Sequence, residues 1–154
     1  MSTLQRPLEE HPFLKDMPSS AVALLSGCAK NVRFGPGEAL TRTGSHADTW
    51  YLVRSGRVTV SADGPTGPLI VNTAGPGDLV GWSWIVSPYR YRFDATATEP
   101  TLAFGFEGKC LRDKCEAHPE LGYQLLKRVT IALGMRLDEL QLRLLDVYRG
   151  PENA

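Results

Sequence analysis

Apolar and polar positions change their spacing twice along the chain, which predicts three segments. Residues 1–12 show no regular apolar spacing and are predicted to form a flexible lead-in. From residue 13 to residue 118 short apolar runs alternate with turns, whereas residues 119–149 place apolar side chains at helical intervals. The spacing therefore predicts a β-rich domain over residues 13–118 and a long C-terminal helix over residues 119–149.

A short helix is predicted at the start of the domain, in the segment SSAVALLSGC. Val22, Leu24 and Leu25 give this segment an apolar face. Either of the two leading serines can cap the helix, and Gly27 can end it. The helix is expected to pack on the strands that follow it.

Strands separated by turns are predicted between residues 29 and 106. The runs Trp50–Arg54 and Arg57–Ser61 are divided only by Ser55-Gly56, so they are predicted to pair as a hairpin. One or two further strands are expected between Asp94 and Phe106. Many short strands, in a chain with 15 glycines and 11 prolines, are typical of an antiparallel sandwich or barrel. The predicted fold class is therefore mainly β with flanking helices.

Two helices are predicted after residue 108. Lys109–Ala117 is the shorter one, and a break at His118-Pro119 separates it from Glu120–Tyr148, which ends before Gly150-Pro151. The apolar positions of the long helix follow near-heptad steps, at Leu126, Leu133, Leu137, Leu140, Leu144 and Val147. A helix of about 45 Å extends beyond so small a domain, so this apolar stripe predicts a homodimer through the C-terminal helix. The alternative is that the stripe packs only on the chain's own sheet.

The segment Pro76–Ala97, with the sequence PGDLVGWSWIVSPYRYRFDATA, carries the candidate binding chemistry. A Pro-Gly-Asp turn leads into an apolar run with two tryptophans, and a basic-aromatic patch follows. Backbone N–H groups at the start of a brief helix, together with a later arginine, form a suitable arrangement for holding a phosphate. The same aromatic and arginine side chains could instead form an ordinary packed surface.

Composition and charge exclude several classes of protein. The 154 residues include 17 Lys and Arg and 17 Asp and Glu, so no net charge favours nucleic acid or an acidic membrane. No stretch is apolar enough to span a bilayer, and no secretory pattern begins the chain. Three cysteines, an odd number, argue against a disulfide framework and for a reducing cytoplasm.

Catalytic and metal chemistry are not predicted. His11, His46 and His118 have no metal-ligand spacing, and no serine, cysteine or lysine has the setting of a nucleophile. Cys110 and Cys115 lie among basic residues, which could lower a thiol pKa for redox sensing, but packing or simple exposure is favoured. The sequence therefore predicts neither an enzyme nor a cofactor.

Several motifs resemble those of a known family: Gly35-Pro36-Gly37-Glu38, Gly44, Trp50-Tyr51-Leu52-Val53, Ser55-Gly56-Arg57-Val58 and Pro76-Gly77-Asp78. With the order of helices and strands, they resemble the cyclic nucleotide-binding domain of the catabolite activator protein (Crp/Fnr) family. The resemblance implies a jelly-roll β-barrel with an N-terminal helix and a long C-terminal helix. The chain is especially similar to stand-alone bacterial members that lack the helix-turn-helix domain, so direct DNA binding is not expected.

The phosphate-binding cassette of that family implies roles for residues 81–95, called the cassette below. In the family a glutamate follows the glycine and binds the ribose 2′-hydroxyl, and an arginine pairs with the cyclic phosphate. Gly81, Arg92 and Ala95 match this pattern, but Trp82 stands at the glutamate position and Phe93 follows the arginine. A lost charge-assisted hydrogen bond costs about 1.5–3 kcal/mol, so cAMP or cGMP would bind without the usual ribose contact.

The predicted ligand-binding residues are Gly81, Trp82, Ser83, Trp84, Tyr89, Arg90, Arg92, Phe93 and Arg136. Arg92 is expected to pair with an anionic group, and Arg90 could replace or reinforce it. The aromatic side chains could stack on a flat ring or on an arginine. Resemblance to the long helix of the family brings Arg136 near the pocket, and a solvent-facing Arg136 is the alternative.

These features predict a cytoplasmic, homodimeric sensor domain for a cyclic nucleotide or a related anionic small molecule. It is expected to signal through its C-terminal helix to a regulatory partner protein. Two alternatives stay open. One is a ligand-free interaction module whose own aromatic side chains fill the pocket, and the other is a regulator that still binds DNA.

Overall fold

The computed structural model describes residues 3–149. Within this range the helices and strands follow one another as α1 Gln5–Glu9, α2 Ser19–Ser26, β1 Ala29–Phe34, β2 Ala39–Thr41, β3 Thr49–Ser55, β4 Val58–Gly64, β5 Gly67–Ala74, β6 Leu79–Val80, β7 Asp94–Ala97, β8 Thr101–Glu107, α3 Gly108–Ala117 and α4 Pro119–Arg149. Single 3-10 turns are also present at Pro12–Leu14 and Trp82–Ile85.

The strands form two antiparallel sheets of four strands each among the described residues. The strand orders are β1-β8-β3-β6 and β2-β7-β4-β5. Helices α2, α3 and the first half of α4 pack on the outer face of the first sheet through shared buried side chains. The predicted mainly β, jelly-roll fold with flanking helices is therefore confirmed.

The predicted hairpin between residues 50–54 and 57–61 is wrong. β3 pairs with β8 and β6, whereas β4 pairs with β5 and β7 in the other sheet. The chain crosses between the sheets at Gly56, where an added Cβ would lie 2.5 Å from the carbonyl oxygen of Pro100. A tight glycine turn serves a sheet crossing as well as a hairpin, so the local sequence does not distinguish the two.

Strand β3 is buried on both faces because its alternate side chains enter two different cores. Trp50 and Leu52 belong to the core between the first sheet and the helices. Tyr51 and Val53 belong to the core between the two sheets. This double burial explains why the run from residue 50 to residue 53 is continuously apolar instead of alternating.

Part of the predicted lead-in is ordered. Residues 5–9 form α1, and Leu8 is fully buried. His11 then fixes the next turn, because its Nδ1 accepts a hydrogen bond from the Phe13 N–H at 3.1 Å. Its Nε2 therefore carries the proton and donates to the Val53 carbonyl at 2.8 Å. The expectation of a flexible segment is wrong for residues 5–12, and residues 1 and 2 lie outside the described range.

A disulfide bond joins Cys28 to Cys110, which corrects the expectation that the cysteines are unpaired. The two residues are 82 positions apart, but the α2–β1 junction lies against the start of α3. The Glu107 N–H donates to the Cys28 carbonyl at 3.0 Å. An odd number of cysteines does not exclude one pair, so the count no longer supports the predicted reducing compartment.

Cys115 is the free cysteine of the described residues. Burial raises the pKa of its thiol, and the negative charge of Glu116 acts in the same direction. The less favoured alternative, a thiol pKa lowered by neighbouring basic residues, is therefore not found at Cys115.

The first half of α4 is held by apolar packing, through the buried residues Leu121, Leu125 and Val129. Farther along, the apolar stripe is largely exposed. Leu137, Leu140, Leu144 and Val147 expose between 45% and 73% of their surface. The chain's own sheet therefore leaves much of the stripe uncovered. The predicted helix end at Gly150-Pro151 lies outside the described residues.

Three arginines attach α4 to the barrel through backbone carbonyl oxygens. Arg128 donates to Lys15 at 2.8 Å, Arg136 donates to Leu79 at 2.6 Å, and Arg143 donates to Val71 at 3.2 Å. The last two contacts lie beyond the buried part of the helix. Arg136 holds the exposed half of α4 to β6 of the first sheet, and Arg143 holds it to β5 of the second.

Between residues 3 and 149, no helix has the length and the apolar character needed to cross a membrane.

Candidate ligand-binding site

Gly81 fixes the entry into the cassette. It follows β6 directly, has a φ of 84°, and precedes the 3-10 turn Trp82–Ile85. An added Cβ would lie 3.1 Å from Cε1 of Tyr91 and 3.4 Å from Cγ2 of Thr41. Both the left-handed backbone and the close neighbours therefore require glycine here.

Tyr91 fixes the return of the cassette toward β7. Its hydroxyl donates to the Thr49 carbonyl at 2.5 Å and accepts from the Thr49 N–H at 3.1 Å. Burial raises the pKa of Tyr91 to about 12, against the opposing effect of the Thr49 hydrogen bond. The Tyr91 hydroxyl is thus neutral and joins the cassette to β3 through two hydrogen bonds.

A cavity of about 340 Å³ lies between the cassette, the second sheet and α4. Its walls are largely apolar, and the side chains that form them include Val60, Val71, Trp82, Phe93, Leu133, Leu137 and Leu140. Its volume is at the lower end of the range of about 300–1,000 Å³ that is usual for small-molecule sites. The aromatic side chains therefore line the cavity without filling it.

Arg92 lies at this cavity and stacks on Trp82. Its Cζ is 5.3 Å from the centroid of the indole ring. Within residues 3–149 the Arg92 guanidinium makes no hydrogen bond or ion pair, and the side chain is exposed. All its N–H donors are thus available to an anion that enters the cavity.

The α4 side of the cavity carries Arg136, Glu139 and Arg143. Burial lowers the pKa of the Arg136 guanidinium, while the negative charges of Asp78 and Glu139 oppose the shift. Arg136 therefore stays charged, because an arginine keeps its proton far above neutral pH. The structure places this residue beside the cavity and not in free solvent.

Six of the nine sequence-predicted residues line the cavity together: Gly81, Trp82, Ser83, Arg92, Phe93 and Arg136. The other three do not. Trp84 is fully buried in the first core, with its ring centroid 5.6 Å from that of Trp50. A 3-10 turn has about three residues per turn, so Trp82 and Trp84 point in different directions.

Tyr89 and Arg90 are also directed away from the cavity. Cζ of Arg112, on α3, lies 4.3 Å from the centroid of the Tyr89 ring. Arg90 donates to the Gly44 carbonyl at 2.8 Å. The expectation that Arg90 reinforces Arg92 assumed a strand with both on one face, but Tyr89 has a φ of 58° and residues 89–92 form no strand. We therefore leave Trp84, Tyr89 and Arg90 out of the site.

Sequence reasoning missed two groups of residues. Arg112 supports the end of the 3-10 turn by donating to the Trp84 carbonyl at 2.8 Å. Glu139 and Arg143 line the cavity from α4, and Arg143 follows Arg136 by seven positions. That spacing, two helical turns, was the available signal for Arg143. No local signal marked Arg112.

A family model described as the cyclic nucleotide-binding domain matches residues 31–118. A CRP-like cAMP-activated global transcriptional regulator of Mycobacterium tuberculosis is 28% identical to the chain over 109 residues, which make up 70% of this chain and 49% of that protein. The chain thus spans about half the length of the curated relatives that it matches.

Solved structures share the fold. A cyclic nucleotide-binding domain from Methylobacillus flagellatus has a TM-score of 0.81 and 21% identity, over 95% of this chain and 86% of that one. The regulatory subunit of a cAMP-independent protein kinase A from Trypanosoma brucei has a TM-score of 0.71 and 21% identity, over 92% of this chain and 50% of that one.

Proposed function

Because the chain belongs to the cyclic nucleotide-binding domain family, we propose that it is a sensor domain that binds an anionic small molecule between the cassette and α4. A cyclic nucleotide, cAMP or cGMP, or a related anion is the proposed ligand. The family is a regulatory binding domain and not an enzyme family. The proposed output is a changed contact between α4 and a partner protein.

One observation carries the proposal, the unpaired guanidinium of Arg92 beside an apolar cavity. A surface arginine normally gains little from an ion pair, because water competes for both charges. Next to Trp82 and Phe93 less water surrounds the charge, so an arriving anion interacts with it more strongly. The site thus combines a preformed cavity with one available cation.

The proposed signal path runs through Arg136. This residue lines the cavity and also binds the carbonyl of Leu79, which lies two residues before Gly81. A ligand that contacts both the cassette and α4 would favour one relative position of the two. The size of this shift is set by the difference between the affinities of the ligand for the alternative positions of α4.

We propose that α4 also forms a homodimer. Its C-terminal half exposes Leu137, Leu140, Leu144 and Val147 in near-heptad spacing. Packing of two such helices against each other would remove this apolar stripe from water. Since Leu137 and Leu140 also line the cavity, ligand binding and dimer geometry would be coupled.

The fold does not require that the ligand is cyclic AMP. Trp82 occupies the glutamate position, and Glu139, on α4, is the carboxylate that lines the cavity among the described residues. The fold is also shared with a regulatory subunit of a cAMP-independent kinase. A cyclic nucleotide would therefore bind in a pose that uses Arg92 without the usual ribose contact.

Calorimetric titration with cAMP and cGMP tests this proposal, with Arg92→Ala as the site variant and Arg90→Ala as its matched control. Both substitutions remove one guanidinium from the same loop, but only Arg92 lines the cavity. Binding that is lost in Arg92→Ala and kept in Arg90→Ala supports the site. Binding that survives Arg92→Ala contradicts it.

A second candidate function is a ligand-free interaction module, which the exposed stripe of α4 favours. The two functions differ in the role of Arg92. In the sensor, Arg92→Ala changes the free energy of unfolding by less than about 1 kcal/mol, because an exposed cation–π contact contributes little. In the module, the Arg92–Trp82 stack stabilises the fold, so a loss well above that value would favour it.

A further inference from the structure

Several polar side chains that line the cavity already make contacts within the protein. The Thr41 hydroxyl donates to the Phe93 carbonyl at 2.9 Å. Arg136 and Arg143 each donate to a carbonyl of the barrel. Arg92 alone, among the cationic side chains lining the cavity, has no hydrogen bond within the described residues. The cavity thus offers one available cation, the Glu139 carboxylate, the small polar side chains of Asn72 and Ser83, and extensive apolar surface.

A nucleotide would place several polar groups against the apolar walls of this cavity. Its ribose hydroxyls and the polar edges of its base need partners, and each unpaired polar group that is buried reduces affinity by roughly tenfold or more. Glu139 could accept a hydrogen bond, but its charge acts on Arg136 at the α4 side of the cavity. The walls from Val60, Val71, Leu137 and Leu140 offer no polar partner.

We propose that the ligand is an amphipathic monoanion, a carboxylate joined to a small hydrocarbon body. The carboxylate binds the Arg92 guanidinium in a bidentate pair, supported by the Trp82 face behind it. The hydrocarbon body occupies the apolar part of the cavity, against the second sheet and α4. This inference rests on the proposed function, because both use Arg92 as the anion site.

The apolar walls give the proposal a quantitative signature. Each methylene transferred from water into an apolar site contributes about 0.8 kcal/mol, which corresponds to roughly a fourfold gain in affinity. The affinity of straight-chain carboxylates should therefore rise about fourfold per carbon atom until the cavity of about 340 Å³ is full. Neutral alcohols of equal length should bind at least about tenfold more weakly, since they lack the charge that Arg92 binds.

Calorimetric titration of the whole chain with hexanoate, octanoate and decanoate tests the inference. Octanol serves as the uncharged control and cAMP as the competing ligand class. We expect saturable carboxylate binding with the stated dependence on chain length, weaker binding of octanol, and a lower affinity for cAMP. Arg92→Ala should reduce carboxylate affinity about tenfold to a hundredfold. Arg90→Ala should leave it unchanged.

Two results would overturn the inference, and they differ in what they mean for the proposed function. If cAMP or cGMP binds in an Arg92-dependent manner and the carboxylates do not, the amphipathic ligand is wrong while the anion site stands. If the folded protein binds neither ligand class, the anion site itself is wrong. The same holds if Arg92→Ala binds both classes as tightly as the wild type does. Carboxylate binding without dependence on chain length would also overturn the inference.

Discussion

The guanidinium of Arg136 donates a hydrogen bond of 2.6 Å to the carbonyl oxygen of Leu79. This contact joins the exposed half of α4 to the strand that leads into the cassette. Because Arg136 also lines the cavity, one side chain links the candidate ligand site to the helix that carries the exposed apolar stripe.

Arg136→Ala should loosen the C-terminal half of α4 while leaving the barrel folded. A hydrogen bond to a charged group contributes about 1.5–3 kcal/mol, so we expect a loss of about 2 kcal/mol in the free energy of unfolding. Hydrogen exchange should quicken from Leu133 onward and stay slow at Leu121 to Val129. Asp138→Ala, an exposed substitution on the same helix, is the control. Unchanged exchange in Arg136→Ala would contradict this role.

Gly81→Ala should destabilise the protein more than Gly37→Ala does. Both glycines have a positive φ, 84° and 88°, so an alanine at either site costs about 1–2 kcal/mol in backbone strain. Only Gly81 has close neighbours, whereas no atom lies within 4 Å of an added Cβ at Gly37. Overpacking against these neighbours should raise the loss of unfolding free energy at Gly81 by about 1 kcal/mol or more. Urea unfolding measures the free energy of unfolding of both variants. Equal losses would show that the cassette tolerates a side chain at position 81.

Stability should fall between pH 7 and pH 5 because of His11. Burial lowers the pKa of this histidine below its ordinary value of 6.5, although the Val53 hydrogen bond opposes the shift. As the pH falls past 6.5, the unfolded chain binds a proton that the folded chain does not, so unfolding becomes more favourable. The loss is at most about 1.4 kcal/mol per pH unit.

Unfolding measured at pH 7 and pH 5 tests this origin of the pH dependence. The difference in unfolding free energy should be smaller in His11→Gln. It should persist in His118→Gln, since His118 is exposed. A pH dependence that is identical in the wild type and in His11→Gln would assign the effect to other groups.

Reduction of Cys28–Cys110 should lower the free energy of unfolding substantially. The bond closes a loop of 82 residues, and restriction of the unfolded chain then contributes about 4 kcal/mol. Cys28→Ser should resemble the reduced protein, whereas Cys115→Ser should resemble the oxidised one. Thiol titration of the oxidised, unfolded chain should find one of its three cysteines reactive. Three reactive thiols before reduction would contradict the bond.

Leu144→Glu should dissociate the proposed dimer. Leu144 is 55% exposed on α4 and does not line the cavity, so the substitution places a charge in the apolar stripe only. Ile70→Glu, at a residue that is 65% exposed on β5, is the control. Analytical ultracentrifugation should show a dimer for the wild type and the control, and a monomer for Leu144→Glu. A monomeric wild type would exclude the dimer.

Elements defined by local sequence were predictable. α4 begins at Pro119 and continues through the last described residue, as helical spacing and the break at His118-Pro119, both local signals, predict. Gly81, Trp82 and Arg92, which the cassette pattern groups within few residues, lie together at one cavity.

Pairings between distant residues were not predictable from local patterns. The partners of β3 and β4, and the bond between Cys28 and Cys110, depend on how the sheets fold over each other. Trp84 could not be distinguished from Trp82 by composition, because only the rotation of a 3-10 turn places one in the core and the other at the cavity.

Mutations of the donor residues on α4 and of the acceptor residues outside it affect the attachment of this helix differently. All three arginines bind backbone carbonyl oxygens, and every amino acid supplies such an oxygen. Replacement of Lys15, Leu79 or Val71 by another residue therefore keeps the acceptor, as long as the main chain stays in place. Replacement of an arginine removes the donor outright. These three contacts therefore depend on side-chain identity only on the helix, where the loss of an arginine removes one bond between α4 and the rest of the domain.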